Sequence, residues 1–276
     1  LSCGYNSFRK EIVIKQKPIF VGDFFEIEFN QNTPFIGIEK GKRFKVGNIH
    51  FQPARVWDSN GKGIDIELDF QVNKLIKRIP REFLESAVFP VTTDTTTSFY
   101  SGTGDGHSGK GGSSDWATVR DATDGTDTNY ASTTVVLENI KGANYEVYRG
   151  FLPIDTSALG SSASITSATL NFYVATELLS SVDAVAVQTT QADPTQLFNA
   201  DYNNIVGLAA ATSLAAQYRG GTAAMVLNAW STITLDSDGI GWISKTGWSY
   251  FGLMLNAYDA DNSAPASNQG GYFRSS

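Results

Sequence analysis

The segment Ile64-Asp65-Ile66-Glu67-Leu68-Asp69-Phe70 alternates apolar and acidic residues without a break. Only an extended strand puts such a period of two on two separate faces. The same period recurs at Glu11–Ile14, at Phe24–Phe29 and, interrupted by Gly47-Asn48, from Lys42 to Phe51. Asp58-Ser59-Asn60-Gly61-Lys62-Gly63 predicts a hairpin turn between Pro53–Trp57 and Ile64–Val72. Pro80 then predicts the start of a short helix over Arg81–Ser86, because its missing donor costs nothing in a first turn. Ala87–Val91 is expected to return as a strand.

The dominant stretch lies further on, from Asn144 to Val174. Glu146, Tyr148, Gly150 and Leu152 alternate with Tyr145, Val147, Arg149 and Phe151. Pro153 is expected to end this strand by removing a donor, and Asp155, Thr156 and Ser157 supply turn chemistry. Ile165–Val174 predicts a second strand. Ala168, Leu170, Phe172 and Val174 form its apolar face, and Thr169, Asn171 and Tyr173 form the other. Together these two segments are expected to be the central pair of a β-sandwich. Trp116–Arg120, Thr133–Leu137, Ala184–Thr190, Ala224–Leu227, Thr232–Leu235 and Ser249–Asn256 predict further strands. Asp238–Ser244 predicts one or two helical turns. In the loop-rich passage from Gln196 to Ala216, Tyr202, Leu208 and Leu214 are expected to pack over one end of the sandwich. Thr92–Thr97 and the glycine-rich run Gly102–Gly112 are expected to be mobile.

Composition narrows the class. The 276 residues suit two domains of ordinary size or one large β domain, and 12% aromatic content with 18% charged residues fits β structure. Charge divides unevenly: residues 1–92 carry 14 Lys+Arg against 11 Asp+Glu, and residues 93–276 carry 7 against 17. The split places a boundary near residue 92 and argues against nucleic acid as a partner, since phosphate binding draws on a dense basic face. No apolar run is long enough to insert in a membrane. Cys3 is the single cysteine, so no disulfide forms within the chain. The start at Leu1, without a basic leader, is read as a chain whose signal peptide has been removed or was never present.

The blocks Y-R-G-F-L-P-I-D-T-S-A-L (148–159) and I-T-S-A-T-L-N-F-Y-V (165–174) resemble the DNRLRE-type domain over roughly residues 98–276. I-P-R-E-F-L-E-S-A-V-F-P-V-T-T-D (79–94) resembles the connector that precedes it. The resemblance implies a β-sandwich module of secreted, cell-surface and phage virion proteins. Some relatives bind polysaccharide and others are architectural.

Candidate chemistry is sparse. The two histidines, His50 and His107, lack a setting for nucleophilic catalysis, so no catalytic residue is assigned. Asp121, Asp124 and Asp127 cluster around Gly125 and could ligate calcium as a cofactor, although turn formation by aspartate explains them as well. Trp116, Trp230, Trp242, Trp248, Tyr202 and Tyr258 are the pool for a glycan platform, with Trp116, Trp248 and Tyr258 as the candidates and core packing as the alternative.

The expectation is therefore an all-β chain: a small N-terminal β domain (1–92) followed by a larger antiparallel, jelly-roll-like β-sandwich (93–276). It is read as a non-enzymatic structural protein of a phage virion (tail, fibre or capsid decoration) or a cell-surface filament, located on a virion or outside the cell. The alternatives are a carbohydrate-binding or adhesion module and, third, a polysaccharide-active enzyme. Partners would be other copies, other virion or surface proteins, and host or cell-wall glycan. Tyr272-Phe273-Arg274 is expected to begin a return that leaves one strand position unfilled. Either a chain cut short or a donor strand from Leu1–Ile14 of a neighbour would account for it.

Overall fold

The computed structural model describes residues 6–30, 44–46, 49–51, 54–130, 132–161, 163, 165–180 and 182–274. The chain is mostly antiparallel β and divides into two compact units, one built on residues 7–99 and the other on residues 100–163 and 167–276. Among the described residues no helix is long and apolar enough to cross a membrane.

The first unit contains β1 (Asn6–Ile14), β2 (Phe24–Asn30), β3 (Phe44–Val46), β4 (Ile49–Phe51), β5 (Ala54–Trp57), β6 (Gly63–Gln71), β7 (Lys74–Pro80), α1 (Arg81–Ser86) and β8 (Val91–Phe99). The first half of β6 pairs with β5 and the second half with β7, so one long alternating strand carries the sheet from one ladder into the next. The hairpin turn is built on Asp58, whose Oδ1 accepts from the amides of Asn60 (3.0 Å) and Lys62 (2.9 Å). Its Oδ2 accepts from Val88 at 3.2 Å. Ile66, Leu68, Ile79, Phe83, Leu84 and Val91 fill the core.

Two expectations change here. Ala87–Pro90 is not a strand: the Val88 carbonyl accepts from Ser59 of the hairpin turn, and Pro90 has no donor to offer a ladder. Thr92–Thr97 lies within β8, whose Thr92, Thr93 and Asp94 pair with β5. β-branched threonine suits a pleated strand, and a partner was within reach.

The second unit contains β9 (Gly106–Ser113), α2 (Trp116–Arg120), β10 (Asp127–Asn129), β11 (Thr134–Lys141), β12 (Tyr145–Asp155), β13 (Ile165–Leu178), β14 (Asp183–Gln188), β15 (Arg219–Ala224), β16 (Ala229–Thr234), α3 (Ser237–Gly241), β17 (Trp248–Leu255) and β18 (Gln269–Arg274). One ladder runs β10–β9–β12–β17–β14–β15. The other runs β11–β18–β13–β16, and the β11–β12 hairpin joins the two. The interior is apolar. Phe273 of β18 stacks edge-on against Phe172 of β13 at 5.5 Å, and its ring fills the space over Gly150 of β12.

The expected central segments, β12 and β13, thus lie in different ladders. Pro153 sits inside β12, opposite Tyr250. Its carbonyl accepts from Gly102 at 2.7 Å, so the edge that lacks a donor faces away from β17 and no ladder bond is lost. The glycine-rich run forms β9 because Gly109 lies under Tyr148, where an added Cβ would come 2.4 Å from the ring. Trp116–Arg120 is a helix: Asp115 caps it by accepting from the Thr118 amide at 2.9 Å, and Trp116, Val119 and Arg120 share the buried face. Gln269–Arg274 is an inner strand with β11 on one edge and β13 on the other, so the expected unfilled position is occupied.

β12, β14 and β17 are buried on both faces. Leu197, Ile205 and Leu214, with Leu208 at the margin, cover Phe151, Val185, Val187 and Met254 on the side away from the sandwich interior. That loop layer positions the buried charges described next.

Candidate ligand-binding face

Arg149, the arginine of the resemblance motif, is fully buried beneath the loop layer. Its Nε and Nη2 donate to the two oxygens of Asp259 at 2.7 and 2.8 Å. Nη1 donates to the Tyr202 carbonyl at 2.9 Å, Nη2 also reaches the Arg120 carbonyl at 2.7 Å, and the guanidinium lies 4.1 Å from the Tyr202 ring centre. Arg120, equally buried, donates to the Asp259 carbonyl, the Ala209 carbonyl and Asp121 Oδ1. Two arginines and two aspartates thus neutralise one another and tie α2, the 200–211 loop and the turn after β17 onto β12. A buried ion pair of this kind fixes geometry more than it adds net stability. Arg149, Arg120 and Asp259 are all buried.

The expected calcium ligands are not brought together. Asp121 is held on both oxygens, by Arg120 (2.6 Å) and by the Ala211 amide (2.7 Å). Asp124 accepts from Thr123 Oγ1, and Asp127 lies on β10 near the Tyr148 hydroxyl. Among the described residues no group of three or more His, Cys, Asp or Glu side chains is placed to hold a metal ion.

The expected aromatic platform is dispersed as well. Trp116 is buried in the α2 face, donates to Asn262 Oδ1 at 3.0 Å and stands edge-on to Tyr145. Trp248 and Tyr258 are half-buried and lie near opposite ends of β17, a strand about 25 Å long.

The exposed tryptophan is Trp230, at 39% exposure the most open of the five, all of which are described. Register explains its company. Trp230 on β16 lies opposite Tyr173 on β13, and the rings meet edge-to-face at 5.5 Å. The pairing of Val174 with Phe273 places Arg274 beside Tyr173, with its guanidinium 5.4 Å from the ring centre. Thr134 on β11 lies opposite Arg274. Thr134, Arg274, Tyr173 and Trp230 therefore form one row across four strands, about 14 Å from end to end. The next positions along the same face are polar: Asn171 lies opposite Thr232, which donates to it at 2.7 Å, and Thr169 lies opposite Thr234. Thr169, Asn171 and Tyr173 were legible as an outward face. The alternation Trp230, Thr232, Thr234 is equally plain in the sequence, and β16 begins at Ala229, three residues before the expected strand Thr232–Leu235.

Two ionisable groups flank this region. Glu138 on β11 points to the same face, is buried, and has its Oε1 without a hydrogen-bond partner. Burial, reinforced by the charges of Glu177 and Glu146, pushes its carboxyl up to about 7. His107 on β9 accepts the Val136 amide on Nδ1 at 3.2 Å and so seals the edge of β11 where it leaves β12. Burial lowers its pKa, against the opposing pull of Asp127. No family model matches the chain, nor does any curated protein or solved structure.

Proposed function

We propose that the protein is a non-enzymatic structural and adhesive component of a virion (tail, fibre or capsid decoration) or of a cell-surface filament, and that it recognises carbohydrate through the outer face of the β11–β18–β13–β16 ladder. The observation that carries this reading is Trp230. It is solvent-exposed, braced by Tyr173, and bordered by threonine, asparagine and arginine side chains. An aromatic face stacks on the apolar side of a sugar ring, and neighbouring hydroxyl, amide and guanidinium groups meet its hydroxyls. The non-enzymatic part is supported by the use made of the ionisable groups: Arg149, Arg120, Asp259 and Asp121 hold loops in place. The resemblance to the DNRLRE-type module agrees with a surface location.

A glycan array with the whole protein tests the reading. Binding to one glycan class is expected, with loss of about tenfold or more in Trp230→Ala and Tyr173→Ala, while Trp248→Ala retains it. Absence of binding to any glycan, or binding indifferent to Trp230, overturns it.

A further inference from the structure

Two ordered loops, one in each unit, hold apolar side chains out into water. In the first unit the segment before β2 is fixed by Arg81, which donates to the carbonyls of Gly22 (2.7 Å) and Phe20 (3.2 Å), while the Asp23 carbonyl accepts the Arg81 amide at 2.8 Å. Phe20 turns inward against Phe25 and lies under the Arg81 guanidinium. That fixing leaves Ile19 and Val21 pointing outward, 103% and 98% exposed. Lys15 and Lys17, both exposed, flank them.

In the second unit the turn between β15 and β16 is held just as firmly. The Met225 amide donates to the Val182 carbonyl, Asn228 to Val174, and Ala229 back to Val226, with Asn228 in the left-handed region at φ +56°. Met225 is buried, and Val226 and Leu227 stand 50% and 43% exposed. An exposed acid at this end of the sheet is Asp183, whose register partner on β15 is Ala224.

We propose that these two surfaces are partners between copies: the Lys15–Val21 loop of one molecule docks on the Val226–Leu227 turn of the next. The occupant is another copy because the two patches match in both respects. Each offers two apolar side chains on a pre-ordered backbone, so little freedom is lost on docking. One is flanked by lysines and the other by a carboxylate, in units whose sequences are net basic (residues 1–92) and strongly acidic (residues 93–276). The apolar residues form the desolvated centre and the charges the rim. The two surfaces differ, so the contact is heterologous and propagates into a ring or a filament. The inference is independent of the carbohydrate reading.

Sedimentation of the full chain from micromolar to submillimolar concentration tests it. The average mass is expected to rise with concentration and to fall with added salt, which screens the rim. Ile19→Asp with Val21→Asp, and separately Val226→Asp with Leu227→Asp, should each weaken association by about tenfold or more. Serine at the same positions is the milder control, with thermal melting to confirm the fold. In a Cys3→Ser background, Ile19→Cys and Leu227→Cys proteins should cross-link to each other on mixing, in preference to each with itself. A protein monomeric throughout, association unchanged in either double variant, or self-cross-linking that dominates overturns the proposal. Binding to anionic lipid vesicles through Ile19 and Val21 without self-association overturns it too.

Discussion

At the scale of the residue, Asp259 carries the greatest consequence. Its carboxylate serves Arg149 at 2.7 and 2.8 Å and its carbonyl serves Arg120, all of them buried. Asp259→Ala leaves the buried Arg149 guanidinium without its counter-ion and is expected to cost about 3–5 kcal/mol, read from the denaturant transition of the second unit. Arg149 reads in the sequence as one more position of an alternating strand, and its role is not legible there, because the partner lies 110 residues away and no local pattern connects them. Glu138 and His107 give the protein opposite responses to pH. The folded pKa of Glu138 is raised to about 7 from 4.5, so its share of stability is complete below pH 4.5 and lost as pH rises through 7. Glu138→Gln should therefore be more stable than the wild type at pH 8, by about 2–3 kcal/mol, with the two alike near pH 4. His107 is lowered from 6.5, so its share is complete above that value and lost as pH falls. Equal stabilities of Glu138→Gln and wild type at pH 8 would show that the carboxyl is not the penalty.

At the scale of the element, long alternating strands were legible and short or glycine-rich ones were not. β6 and the outward face of β13 follow from period alone. Trp116–Arg120 spans five residues, too few to tell a period of two from one of 3.6, and Asp115 decides the matter as a helix cap. β9 has no hydrophobic pattern to read, since its glycines are there for what lies opposite. Gly109→Val would drive a side chain into the Tyr148 ring, and we expect a loss of about 1–3 kcal/mol with disturbed β9–β12 pairing. Unchanged melting would contradict the packing described. The aromatic platform is hidden in the sequence for a related reason: Trp230 gains its setting from Tyr173 and Arg274, on strands far away in sequence.

At the scale of the molecule, the all-β architecture and the uneven charge followed from pattern and composition. What did not follow was how the strands share edges, because ladder order depends on partners that no single segment specifies. The boundary inferred from charge fell near residue 92, and β8, which pairs with β5, carries the first unit on to Phe99. The molecule pairs a closed, ion-locked loop layer on one sheet with an open polar-aromatic face on the other. That contrast is the basis of the adhesive reading. Its most direct test is the affinity of wild type and Trp230→Ala for the glycan class selected on an array, measured by calorimetry on proteins with matched melting curves. The account predicts measurable binding by the wild type and a loss of about tenfold or more in the variant; equal affinities, or no binding by the wild type, would contradict it.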